Sequence, residues 1–140
     1  MKSFMLDTNT ISYIARNRSA AARARLEDAQ DVSPVYVSAI TEGEILYGLA
    51  KRPLAHQVAH FMHAALAGLK VLPWNSQAAA EYGRLRARNE SLGIAVGGLD
   101  MLIAAHAIAE NAVLVTSDGA IARLIGGPET INWADDLRPN

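Results

Sequence analysis

The sequence predicts an α/β sandwich, with helices on both faces of a central parallel sheet of four to five strands. Three observations predict it. Short apolar or β-branched runs at 2–6, 35–37, 70–72 and 112–116, with a weaker one at 130–133, alternate with longer segments of helical character. The segment 99–110 is apolar nearly all round, which marks a helix buried inside a layered structure rather than lying on its surface. No internal repeat, low-complexity tract or linker interrupts the chain, and 140 residues at 51% hydrophobic suit a single domain spanning 1–140.

Taken in order, the run 2–6 is too short for a helix and reads as a buried strand that stops at Asp7, followed by Thr8 and Asn9. Residues 10–16 and 19–29 read as a helical hairpin, the second helix opening on Ser19. Val35, Tyr36 and Val37 after Pro34 make a second strand, and Ser38 caps a helix running to about Lys51. Pro53 suits the first turn of a helix that ends by Gly68. Lys70, Val71 and Leu72 form a third strand stopped by Pro73. Ser76 then opens a long helix whose Tyr82, Leu85 and Leu92 share a face, closed by Gly93. A glycine-rich loop, 93–98, leads into the buried helix 99–110. Residues 112–116 are the fourth strand and 130–133 a weaker fifth.

Net charge is −1 and the pI about 6.4, so no global basic field advertises nucleic-acid binding and any such contact must be local. The absence of cysteine excludes disulfides, thiolate zinc sites and cysteine nucleophiles, and fits a reducing compartment, the cytoplasm by default. No leader-like segment and no apolar run of membrane-spanning length is visible, so no membrane association is expected.

Four carboxylates fall where turns at one end of the sheet are expected: Asp7, Glu44, Asp100 and Asp118. Each has a structural reading. Asp7 or Thr8 can cap the following helix, Glu44 lies three residues after Thr41 at capping-box spacing, Asp100 sits in a first helical turn, and Asp118-Gly119 is good turn chemistry. None of these explains why an acid follows both of the clearest strands and another heads the most apolar helix. Ligands of open parallel sheets bind beyond the carboxyl ends of the strands. Four carboxylates converging there must be protonated in part or neutralised by a cation. Oxygen donors without His or Cys favour a hard ion, magnesium or manganese, which can deprotonate a water and stabilise charge on a phosphodiester.

The runs Phe4-Met5-Leu6-Asp7-Thr8-Asn9, Ser38-Ala39-Ile40-Thr41-Glu42-Gly43-Glu44-Ile45-Leu46-Tyr47-Gly48, Asp100-Met101-Leu102-Ile103-Ala104-Ala105-His106-Ala107 and Leu114-Val115-Thr116-Ser117-Asp118 resemble, in order and spacing, the successive signatures of PIN-domain ribonucleases, and more narrowly of VapC toxins from type II toxin–antitoxin systems. Thr130-Ile131-Asn132-Trp133 is similar to the closing strand of that family. The resemblance implies a PIN-like three-layer sandwich and a magnesium-dependent endoribonuclease that cuts transfer or ribosomal RNA to stop translation. It also implies a homodimer inhibited by a cognate antitoxin, with which it can form a hetero-oligomer. Carried over by position, Asp7, Asp100 and Asp118 would be metal ligands and Glu44 would help prepare the attacking water, the four together forming the catalytic set. Thr8 and Thr116 would orient the carboxylates. Asp118 occupies a position where the family often has asparagine, and Gly119-Ala120-Ile121-Ala122-Arg123 departs from the polar, aromatic run usual there, as does the apolar Val96-Gly97-Gly98-Leu99.

Other features weigh less. His56, His60 and His63 recur at helical spacing, yet their helix offers no acid or cysteine to complete a zinc site, and His106 reads as a core histidine rather than a general base. Arg16, Arg18, Arg23 and Arg25 crowd the first hairpin while Arg84 and Arg88 share a helix face, and either group can hold phosphates or simply be solvated. Tyr47 and Trp74 can stack on bases, although lone aromatics beside leucines are more often core. An aspartyl-phosphate enzyme would need a second Asp two residues after Asp7, where Asn9 stands. A PIN nuclease of RNA processing and a non-catalytic RNA-binding module on the same fold are the remaining alternatives, the latter expected to have lost some of the acids. Neither a Gly-Lys-Ser/Thr phosphate loop nor G-x-G-x-x-G after a strand is present.

Overall fold

The structure, a computed structural model, describes residues 2–16, 20–52 and 56–134. Its elements run β1 (Ser3–Leu6), α1 (Thr8–Ala15), α2 (Ala20–Val32), β2 (Val35–Ser38), α3 (Ala39–Lys51), α4 (His56–Ala67), β3 (Lys70–Leu72), α5 (Ser76–Ser91), α6 (Gly98–Ala109), β4 (Ala112–Val115), α7 (Gly119–Ala122) and β5 (Thr130–Ile131). The five strands form one parallel sheet in the order β3-β2-β1-β4-β5. Sequence alternation therefore translates into the expected crossover architecture.

Side chains of adjacent strand residues go to opposite layers, which explains why the runs are continuously apolar. Leu6, Val35, Val37 and Val115 pack with Ile11, Ile14, Ile45, Met62, Leu66 and Trp133 on one face. Met5, Ala112 and Leu114 pack with Leu85, Met101, Ile103, Ala104, Ala107 and Ile121 on the other. The helix expected to be buried is so: α6 sinks Met101 and every residue from Ile103 to Ala107.

Several boundaries differ from the sequence reading, each for a local reason. Helix α1 begins two residues earlier than expected because the Asp7 carboxylate, not a later residue, receives the Thr10 N–H at 2.8 Å. Helix α5 is capped by Asn75, whose Oδ1 accepts from the Ala78 N–H, rather than by Ser76. On its inner face the register position between Leu85 and the loop is filled by Asn89, fully buried, while Leu92 is exposed. Asn89 spends every polar group on backbone: Nδ2 donates to the carbonyls of Leu85 and Ile125, and Oδ1 accepts from the Ile125 N–H. What read as a simple turn at Asp118-Gly119 is the capped start of the short α7. The last strand is only Thr130–Ile131, with Trp133 folding inward against Phe4. The expected helix starts at Ser19 and Pro53, and Arg18, lie outside the described residues.

Candidate active site

Strands β2 and β3 extend from one side of β1 and β4 and β5 from the other, so the chain reverses its direction of winding between β1 and β4. A crevice opens beyond the carboxyl ends of strands at such a point. Asp7 follows β1 and Asp118 follows β4, and the Asp7 N–H donates to the Val115 carbonyl at 3.1 Å. Thr10 fastens the same seam: its hydroxyl donates to the Val115 carbonyl at 3.1 Å while its N–H holds Asp7 Oδ1. Asp7 is 6% exposed, so it is both a helix cap and an acid set at the floor of the crevice.

Asp118 repeats the device on α7. Its Oδ1 accepts from the Ala120 N–H at 2.8 Å, and its own N–H donates to Thr116 Oγ1 at 3.0 Å. Thr116 is buried and thus fixes the backbone of Asp118 rather than its carboxylate. Thr8, in contrast, acts directly on an acid, donating to Glu44 Oε1 at 3.0 Å. The capping-box role open to Glu44 in the sequence is excluded, because Ser38 caps α3 through the Ile40 N–H and Glu44 lies further along the helix.

The four acids share one electrostatic environment. Burial pushes the Asp100 carboxyl above its ordinary pKa, and the charges of Asp118 and Asp7 push it further. Glu44 is likewise raised, first by burial and then by Asp100 and Asp7, against the opposing hydrogen bond from Thr8. Asp7 and Asp100, far apart in sequence, therefore feel each other's charge across a single crevice. Among the described residues no group of three or more His, Asp or Glu side chains stands in metal-enclosing geometry. The donor set instead suits a hard ion that takes one or two protein carboxylates and keeps waters.

Beside Glu44 lies a shallow groove of about 350 Å³ lined by Ala39, Ile40, Gly43, Glu44, Tyr47 and Leu99. Tyr47 is 63% exposed and Leu99 50%, so Tyr47 is not the core aromatic its leucine neighbours suggested. Trp74 is a structural residue, its Nε1–H donating to the Leu102 carbonyl and its ring meeting Tyr82 edge-on. Arg16 and Arg23 bond within the first helical hairpin, to Ser12 and the Ile14 carbonyl, and Arg84 pairs with Glu81. One further arginine, which the sequence did not single out, lies close to the residue after Asp118. Arg123, which follows α7, folds its guanidinium back over the start of that helix, where a Cβ added to Gly119 would lie 3.3 Å from Nη1. The only signal was its place in the departing run after Asp118.

His56, His60 and His63 are exposed on α4 and form no metal cluster among the described residues. No helix of the described residues is long and apolar enough to cross a membrane.

The pattern that defines the PIN domain matches residues 4–126. The chain is 33% identical to ribonuclease VapC2 of Rickettsia felis over 82% of its own length and 86% of that protein. It is 32% identical to the tRNA(fMet)-specific endonuclease VapC of Salmonella typhimurium, over 95% and 99%. Its backbone is similar to a chain in the crystal structure of VapBC2 from Rickettsia felis bound to a DNA fragment from the promoter, with a TM-score of 0.86 at 30% identity, covering 94% and 98% of the two chains. With the strand order, the acidic crevice and these likenesses in agreement, the chain belongs to the PIN-domain family and, within it, to the VapC ribonucleases.

Proposed function

We propose that this protein is the toxin of a type II toxin–antitoxin pair, an endoribonuclease that cleaves structured RNA, transfer or ribosomal, to inhibit translation. The observation that carries this reading is that Asp100 feels the charges of Asp118 and Asp7, and Glu44 those of Asp100 and Asp7, at the sheet's point of reversal. Family membership implies dependence on a divalent ion, and the all-oxygen donor set supports Mg²⁺, with Mn²⁺ as a substitute. Asp7, Asp100 and Asp118 would hold that ion, one or two of them directly and the rest through its waters. When bound, it supplies a water of lowered pKa and neutralises charge on the phosphodiester.

The chain's own groups do the rest. Glu44, with its proton affinity raised by burial and by its acidic neighbours, receives a proton from the attacking water. Thr8 aims the Glu44 carboxylate, and Thr116 sets the backbone from which Asp118 projects. Arg123 offsets the repulsion between the acids and the RNA backbone by contacting a phosphate. The exposed Tyr47 ring gives a base a face to stack on. The apolar groove beside Glu44 suits a segment of a cognate antitoxin that blocks the crevice, a reading supported by likeness to VapBC assemblies. The protein acts in the cytoplasm as a homodimer, alone or assembled with its antitoxin.

The test is incubation of the purified protein with total RNA and Mg²⁺, with chelator and Asp7→Asn controls, followed by sequencing of fragment ends. Discrete cuts bearing 5′-phosphates, absent from both controls, support the reading. Equal fragmentation by the Asp7→Asn protein refutes it, and 2′,3′-cyclic phosphate ends refute direct attack by water.

A further inference from the structure

His106 sits in the last turn of α6 and is fully buried, with Nδ1 2.8 Å from Ser38 Oγ. Ser38 is itself fully buried at the end of β2, where its Oγ accepts from the Ile40 N–H at 3.1 Å and caps α3. This one contact joins the helix bearing Asp100 to the first turn of the helix bearing Glu44. The other ring nitrogen, Nε2, has no hydrogen-bond partner among the described residues and lies 3.8 Å from Glu110 Oε1.

Proton placement follows from these neighbours. A hydroxyl donates one hydrogen and accepts at two lone pairs. The Ser38 oxygen already accepts from Ile40, so its hydrogen has Nδ1 as its natural target. Were Nδ1 protonated instead, the Ser38 hydrogen would need another acceptor and the bare Nε2 lone pair would face the Glu110 carboxylate. Nδ1 as acceptor with the proton on Nε2 satisfies Ser38 and turns an N–H toward Glu110. Burial lowers the His106 pKa against the weaker pull of Glu110, so the ring is neutral at pH 7 and a single tautomer serves.

We propose that His106 is a positioning residue for the nuclease reaction: as the neutral Nε2–H tautomer it accepts the Ser38 hydroxyl, fixes the start of α3 against α6, and thereby holds Glu44 at its distance from Asp100. This rests on the catalytic reading of Glu44 and Asp100, and the tests separate the two.

In protein labelled with ¹⁵N-histidine, Nδ1 of His106 is expected at the shift of an unprotonated acceptor and Nε2 at that of a protonated nitrogen; the reverse assignment overturns the proposal. His106→Leu removes the acceptor at similar volume, Ser38→Ala removes the donor, and His106→Asn restores an acceptor oxygen near the place of Nδ1. Each of the first two should lower kcat for RNA cleavage about tenfold, the scale of lost orientation behind a catalytic group, with KM unchanged. The double variant should lose no more than the worse single one, and His106→Asn should recover most of the rate. A folded His106→Leu protein with wild-type kcat, or losses that multiply in the double variant, overturns it. The Glu44 carboxyl titration, followed by ¹³C NMR without RNA or metal, should move in His106→Leu and return in His106→Asn. That shift survives even if no RNA is ever cleaved, whereas its absence counts against His106 whatever the RNA assay gives.

Discussion

The Thr8 hydroxyl donates to Glu44 Oε1 at 3.0 Å, joining the first turn after β1 to the middle of α3 across 36 positions of sequence. It is the stabilising contact opposing three influences that raise the Glu44 pKa, namely burial, Asp100 and Asp7. Replacement of Thr8 by valine keeps the shape and removes the donor. The Glu44 pKa then rises further, so the acid limb of the pH–rate profile moves to higher pH. At a pH on that limb cleavage should fall about tenfold, the worth of one hydrogen bond to a charged group, and recover toward wild type as pH rises. A profile that scales down uniformly at every pH would assign Thr8 a different role.

Asp100 is raised by burial, Asp118 and Asp7, and the sign of its effect on stability follows. A carboxyl whose folded pKa exceeds its unfolded one binds protons more tightly when folded, so stability declines as pH climbs from the unfolded value through the folded one. In chelator at neutral pH, Asp100→Asn should therefore melt higher than wild type. Partial exposure and screening keep the gain small, about 2–4 °C. Cleavage should fall at least about 100-fold. Added Mg²⁺ should narrow or invert the difference in melting temperature. Calorimetry at pH 7 with and without Mg²⁺ checks all of this.

Arg123 lays its guanidinium over Gly119, the residue after Asp118. Its replacement by alanine should weaken RNA binding severalfold and lower the slope of log affinity against log salt by about one unit, as for one lost phosphate contact. Filter binding with the Asp7→Asn protein over a salt series reads the slope without cleavage. An unchanged slope would remove Arg123 from the RNA path.

Asn89 holds the segment after α7 to α5 through both atoms of its amide. Asn89→Ala leaves the Ile125 N–H and carbonyl without that partner in a part-buried place. Unfolding in urea should show a loss of about 1–3 kcal/mol with the slope unchanged.

The sequence carried the sheet and its acids further than it carried the contacts around them. Apolar runs ending in a carboxylate were legible because burial on both faces leaves no alternation, and Asp7, Glu44, Asp100 and Asp118 stood out by position. The electrostatic coupling among them was legible only as a consequence of convergence. Asn89 was missed because periodicity counts apolar residues, and a buried amide that satisfies loop backbone looks polar to such a count. Leu92 was assigned to its face for the same reason, although the helix ends before the loop can cover it. The exposure of Tyr47 was hidden too, because leucine neighbours describe a helix without saying which side is covered. Arg123 could not be ranked above the other arginines, since only the fold of α7 brings its guanidinium to Gly119.

The outermost strands of the sheet are short: β3 spans three residues and β5 two. A rim so brief offers another polypeptide little backbone to hydrogen-bond, which discourages strand-to-strand stacking of copies and fibre growth. Association with other chains is therefore left to helix surfaces and loops, and a designed inhibitor in the shape of an extended peptide would find poor purchase at either margin where a short amphipathic helix would not.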